Sequence, residues 1–172
     1  MSFQDRIESG GVGAIMLYFC AVGLLISAGY SDTGWVTFTI AAFPVLLLML
    51  FVDVFSSRLN DYWAGGNLKQ STRRLSRFGE PDDLYFSAPP EVQEQIDYVD
   101  DLSYGKNVSI LSGLLVAVSA PVVGFLHLDW VGFVAAIPVC AVAVAFSRWA
   151  IQGLNQQALK KPKIYEAHYE NQ

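Results

Sequence analysis

Acidic and basic side chains crowd the middle of this 172-residue chain, and their types and spacing bound the chemistry available to it. Asp97, Asp100 and Asp101 follow Glu80, Asp82, Asp83, Glu91 and Glu94, and clustered carboxylate oxygens are what a hard divalent cation takes as ligands. On a helix Asp97 and Asp101 fall one turn apart on one face. No glycine-bearing calcium loop accompanies them, so they read as a solvated face and no metal ligand is assigned. His127-Leu128-Asp129 sets an imidazole near a carboxylate, yet no Ser, Cys or further His stands at a spacing that would complete a catalytic set. Phosphate loops, dinucleotide fingerprints, zinc spacings and haem motifs are absent from the sequence. No catalytic residue and no cofactor is therefore assigned. Arg73, Arg74 and Arg77 form the basic counterpart, and Arg73-Arg74-Leu75-Ser76 has the pattern of a basic-directed kinase site. These six residues, three basic and three acidic, are the candidate interaction residues. The basic run lacks the fold context of a nucleic-acid binder.

The elements that must position these charges are apolar. Hydrophobic residues make up 53% of the chain, charged residues 16%, and the mean hydropathy is +0.36. Four stretches, 12–30, 34–52, 108–126 and 130–147, contain no Asp, Glu, Lys, Arg or His. A helix of about 20 apolar residues crosses a hydrocarbon core of about 30 Å, so each stretch predicts a transmembrane helix. The fold class expected is an all-α integral membrane protein with four transmembrane helices. Ionisable residues at membrane depth would point to transport or proton relay; Asp53 is placed only at the end of the second span, beside Arg58. Asp5, Arg6 and Glu8 ahead of a long apolar run argue against a cleaved signal peptide. Cys20 and Cys140 fall inside predicted spans as small hydrophobes, with no disulfide expected.

All eleven Lys and Arg residues lie in the amino-terminal lead, the central segment or the carboxy-terminal stretch that begins at Arg148. Basic residues are retained on the cytoplasmic side, which predicts both termini and the central segment in the cytoplasm and two short outer turns. Trp35 and Trp130 then mark the outer interface. They also open an internal echo: Trp35-Val36, Phe38, Ala41-Ala42, Pro44-Val45 and Leu59-Asn60 match Trp130-Val131, Phe133, Ala135-Ala136, Pro138-Val139 and Leu154-Asn155. The echo predicts two tandem hairpins of the same orientation. Pro44, Pro121 and Pro138 predict kinks, because proline removes a ladder hydrogen bond. Ser109, Gly113 and Ala117 recur every four residues, as do Gly132, Ala136 and Cys140. Such stripes let helix backbones approach closely, either to close the bundle or to join subunits.

The chain divides into an N-terminal hairpin (1–55), a charged central segment (56–106), a C-terminal hairpin (107–151) and a tail (152–172). The central segment is basic over 58–78 and acidic over 80–101, with a break at Gly79 to Pro81. Val92, Ile96, Val99 and Leu102 recur at helical spacing, predicting an acidic amphipathic helix that is broken at Gly105. The basic half, with Leu68, Leu75 and Phe78 interleaved, predicts a surface helix on anionic headgroups; the alternative is that the two halves fold against each other. Pro162 is expected to stop the helix that leaves the fourth span. Asn107-Val108-Ser109 spells a glycosylation acceptor but is set aside as cytoplasmic.

These features predict a non-catalytic, multi-pass protein of a bacterial-type inner membrane, an accessory or protein-interaction subunit, with an immunity or exclusion protein as one specific form. Its expected partners are the lipid bilayer, a membrane protein or further copies of itself, and a cytoplasmic partner of 56–106, with no nucleic acid. A homo-oligomeric channel, with Thr37, Thr39 and Ser147 facing the pore, is the alternative. A membrane enzyme using the acidic segment with a divalent metal is a weaker third.

Overall fold

Long uninterrupted apolar runs with few helix breakers leave the backbone one way to satisfy its polar groups locally, and the residues that the computed structural model describes, 12–27 and 35–169, are helical apart from short connections at 76–80, 88–89 and 159. Helix α1 spans Val12–Ser27, α2 Trp35–Leu75, α3 Pro81–Ser87, α4 Pro90–Ala158 and α5 Lys160–Tyr169. Helix α4 is two arms joined by a tight turn, because Leu128 (φ −133°, ψ 19°) and Asp129 (φ 52°, ψ −137°) leave the helical region. Three helical segments are long and apolar enough to cross a membrane, Thr39–Leu75, Pro90–Leu126 and Leu128–Tyr169, and Ala14–Ile26 is a shorter apolar helix. Large apolar side chains such as Phe43, Leu50, Val118 and Val142 stand exposed on them, as lipid contact requires.

The amino-terminal lead with Gly10 and Gly11, the first turn with Asp32, and the side chains of Trp35, Thr37 and His127 lie outside the described residues. Trp130 is described and 70% exposed, and its ring meets Phe125 and Phe133 edge-on at 5.6 and 5.7 Å, forming an aromatic group beside the turn. Pro44, Pro121 and Pro138 all sit within continuous helix. A non-helical dihedral within α2 is at Ala64 (φ −120°, ψ 15°), just before Gly65-Gly66.

The core is a ladder of apolar clusters running from the membrane-length segments into the charged region. Leu17 of α1, Leu48 and Val52 of α2 and Val108 of α4 pack together; Ala64 meets Ile110, Ala150, Leu154 and Ala158; and Leu75 joins Leu84, Val92, Ile96 and Tyr165. Helix α2 therefore runs antiparallel to the first arm of α4 well beyond the apolar segments. Two expectations are corrected by this course. The helix is not broken at Gly105, which is buried mid-helix and accepts a hydrogen bond on its carbonyl from Ser109 Oγ at 2.9 Å. The helix that follows the last apolar run stops at Leu159, ahead of Pro162, which lies inside α5 and is fully buried.

Candidate functional site

Residues 56–106 and the tail build one polar helical module, so the charged residues are held on a frame. Three apolar faces meet at its centre: Leu75 and Phe78 from the end of α2, Leu84 and Ala88 from α3 and its exit, and Val92 and Ile96 from α4. Helix α5 closes the cluster with Tyr165, only 3% exposed, while Phe78 stacks on Tyr169 at 5.9 Å. Gly79, at φ 146°, makes the reversal between α2 and α3 in a backbone region that favours glycine. Gln93 Nε2 donates to the Tyr85 and Ala88 carbonyls, both at 3.0 Å, adding to the Ala88 N–H that the Tyr85 carbonyl also accepts at the end of α3.

The candidate acids divide between support and display. Asp97 accepts a hydrogen bond from Tyr85 Oη at 2.9 Å, which, together with burial and nearby carboxylates, raises the Tyr85 pKa. Asp100 pairs with Lys161 of α5. Asp97 and Asp100 thus tie α4 to its neighbours, and among the described residues no group of three or more His, Cys, Asp or Glu side chains converges as a metal site. Asp101 is partly exposed and unpaired among the described residues, and Glu91 and Glu94 stand exposed beside it on the outer face of α4. At the end of α2 Arg73 is exposed and Arg74 partly covered, and Arg77 in the turn that follows is exposed. Ser76 Oγ donates to the Arg73 carbonyl at 3.0 Å and is exposed.

Leu68 and Leu75, apolar residues of the basic half, are packed against α4 and its neighbours, with Phe78 against the same cluster as Leu75, so the two halves of the central segment fold against each other.

Where the module joins the apolar segments, amides that are buried or half-buried do the fastening. Asn107, fully buried, donates from Nδ2 to Asn60 Oδ1 at 2.8 Å, and Asn67 Nδ2 donates to Asn155 Oδ1 at 3.0 Å. These bonds join α2 to both arms of α4, and they enlist both asparagines that close the internal echo. A buried polar atom is costly unless paired, which makes each bond specific for one register. Sequence reasoning recognised Asn60 and Asn155 only as echo markers and set Asn107 aside; the signal available was amides recurring just beyond three uncharged stretches.

Lys106 extends over the Trp149 ring at 3.7 Å from its centroid, a cation–π contact at the same junction.

The small-residue stripes meet each other between the two arms of α4. Cys140 Sγ donates to the Ala117 carbonyl at 3.3 Å, and Ser109 and Ala136 are buried. A Cβ on Gly113 would fall against Ser147 Oγ and the Ala143 carbonyl. Gly132 faces Gly124, a contact residue the stripe pattern missed. Ser147, expected to face a pore, is 3% exposed and donates to the Ile110 and Ala143 carbonyls at 3.2 and 3.0 Å. Cys20 Sγ lies 3.6 Å from Ser119 Oγ, so the two cysteines serve separate helix contacts. Compared with known proteins, the chain matches no family model, no curated protein and no solved structure.

Proposed function

We propose that this chain is a non-catalytic membrane protein of four spans, two tandem hairpins of a duplicated unit, that acts as an accessory or interaction subunit of a membrane complex. The polar module and both termini face the cytoplasm of a bacterial-type inner membrane, in keeping with the positions of the Lys and Arg residues. The observation that carries the reading is the construction of the module. Apolar clusters and two amide pairs fix it to the long apolar helices, while Arg73, Arg77, Glu91 and Glu94 project outward. A frame that holds charge at a constant height above a bilayer suits recognition of another protein, including the immunity or exclusion form in which a membrane-acting toxin or incoming element is blocked.

Cross-linking in native membranes followed by mild-detergent purification tests this reading. Stoichiometric recovery of a partner of different sequence is expected; recovery of this chain alone, under conditions that preserve other membrane complexes, refutes it. A topology reporter inserted near Gly79 should register cytoplasm, and a periplasmic signal would overturn the orientation. The channel alternative loses one of its pore residues because Ser147 turns into the helix pair, and solute flux in vesicles above that of empty vesicles would restore it.

A further inference from the structure

We infer that the polar module binds a second copy of this chain, through the outer face of α2 on one copy and the outer face of α4 on the next. Lys69 and Arg73 on α2, and Arg77 in the turn just past its end, recur every four residues and are all exposed; Ser76 N donates to the Thr72 carbonyl and Arg77 N to the Arg74 carbonyl, so the turn follows on from the helix. Glu91, Glu94 and Asp101 share one face of α4, with Tyr98 between them 49% exposed. Successive positions on that face are separated by three or four residues, one helical turn. Each stripe lies on the side of its helix away from the module core, since the core-facing residues are Leu68 and Leu75 on α2 and Val92, Ile96 and Val99 on α4. The two stripes of one chain therefore face apart. Among the described residues the ion pair formed is Lys161 with Asp100, which uses neither stripe.

Depth in the membrane makes the stripes complementary between copies. Asn60 is level with Asn107, to which it is hydrogen-bonded, and Leu75 packs in the cluster of Val92 and Ile96. On these antiparallel helices the hydrogen-bonded pair 60 and 107 sums to 167, and residues 75 with 92 and 96, which share a cluster in the module, sum to 167 and 171; nearer the apolar segments 52 with 108 and 64 with 110 sum to 160 and 174, so the register holds to within about two helical turns. Arg73 then stands near the level of Glu94 (167), Arg77 near Glu91 (168) and Lys69 near Asp101 (170). Copies related by rotation about the membrane normal keep every residue at its depth, so three bases on one copy come near the level of three acids on the next. A bilayer that confines both copies to one orientation also removes much of the orientational search that weakens association in solution.

The inference rests on the membrane placement in the proposed function and not on the identity of a further partner. The full chain, labelled in separate batches with donor and acceptor dyes and reconstituted in phosphatidylcholine vesicles at low protein-to-lipid ratio, reports association by energy transfer. Transfer is expected at 50 mM salt and should fall as salt shortens the Debye length to about 3 Å near 1 M. R73E/R77E and E91R/E94R should each weaken association roughly tenfold, as like charges replace opposed ones, and combining the four substitutions in one chain should restore it. Wild-type transfer that is absent or indifferent to salt overturns the inference, as does a fourfold variant no better than either parent. These results are separable from the partner test: a salt-sensitive oligomer recovered without any foreign protein sustains this inference and sinks the accessory-subunit reading.

Discussion

Replacing Gly132 by alanine should separate the two arms of α4 where they cross below their turn. The added Cβ would fall on the Gly124 carbonyl oxygen, 2.6 Å from the Gly124 carbonyl carbon and 2.8 Å from Leu128 Cβ. Carbon atoms in favourable contact lie about 3.5–4.0 Å apart, so the shortfall is roughly 1 Å. No rotamer change relieves it, because the obstructing atoms are backbone and a Cβ. The arms must move apart, at a cost of about 1–3 kcal/mol for an overpacked site, or about a tenfold to hundredfold loss in the folded population ratio. Lipid offers the arms no hydrophobic drive to stay together, so the lost close contact is not regained elsewhere. Reversible unfolding in mixed detergent micelles, followed by helicity, measures the effect. G124A probes the same contact from the other side, where its Cβ would lie 2.7 Å from the Gly132 carbonyl carbon, and the double variant should cost less than the sum of the two. Gly65 is the control, since nothing within 4 Å would meet its Cβ. A G132A protein within about 0.5 kcal/mol of wild type, or full additivity with G124A, would refute close backbone packing at this crossing.

Three further outcomes follow from the same structure. D129G should stabilise the protein by about 1 kcal/mol in the same unfolding assay, because a non-glycine residue at φ 52°, ψ −137° carries backbone strain. N107A should cost about 1–2 kcal/mol by removing the buried donor to Asn60, and a double-mutant cycle with N60A should give a coupling of about 0.6 kcal/mol or more; zero coupling would dissolve the amide pair. Tyr165, in the polar module, has its pKa pushed up to about 12, chiefly by burial. The neutral phenol is favoured when folded, so this contribution is fully present below the unfolded value near 10 and is lost as pH rises through 12. Helicity of the module should hold better in Y165F than in wild type between pH 10 and 12, and identical alkaline profiles would show that Tyr165 is not buried.

Helical structure, the apolar segments and the reversal near Gly79 are legible in the sequence because each is a local property. Apolar stretches exclude charge over a membrane's thickness, a small-residue stripe needs only one helix to display it, and the charge break at Gly79 to Pro81 coincides with the end of α2 and the start of α3. The fate of each apolar stripe is not local. Leu68 and Leu75 have the same spacing whether they face headgroups or another helix, and only the proximity of Ile110, Leu154 and Val92 decided for the helix. The amide pairs join residues 47 and 88 positions apart, and Gly124 gains meaning only from Gly132 across the turn. Composition and periodicity determined that this chain builds long apolar helices flanked by charge. Tertiary packing alone decided that α2 and α4 run together beyond the apolar segments, because the apolar clusters and the amide pairs join these two helices along their length, and that packing sets which charges face outward.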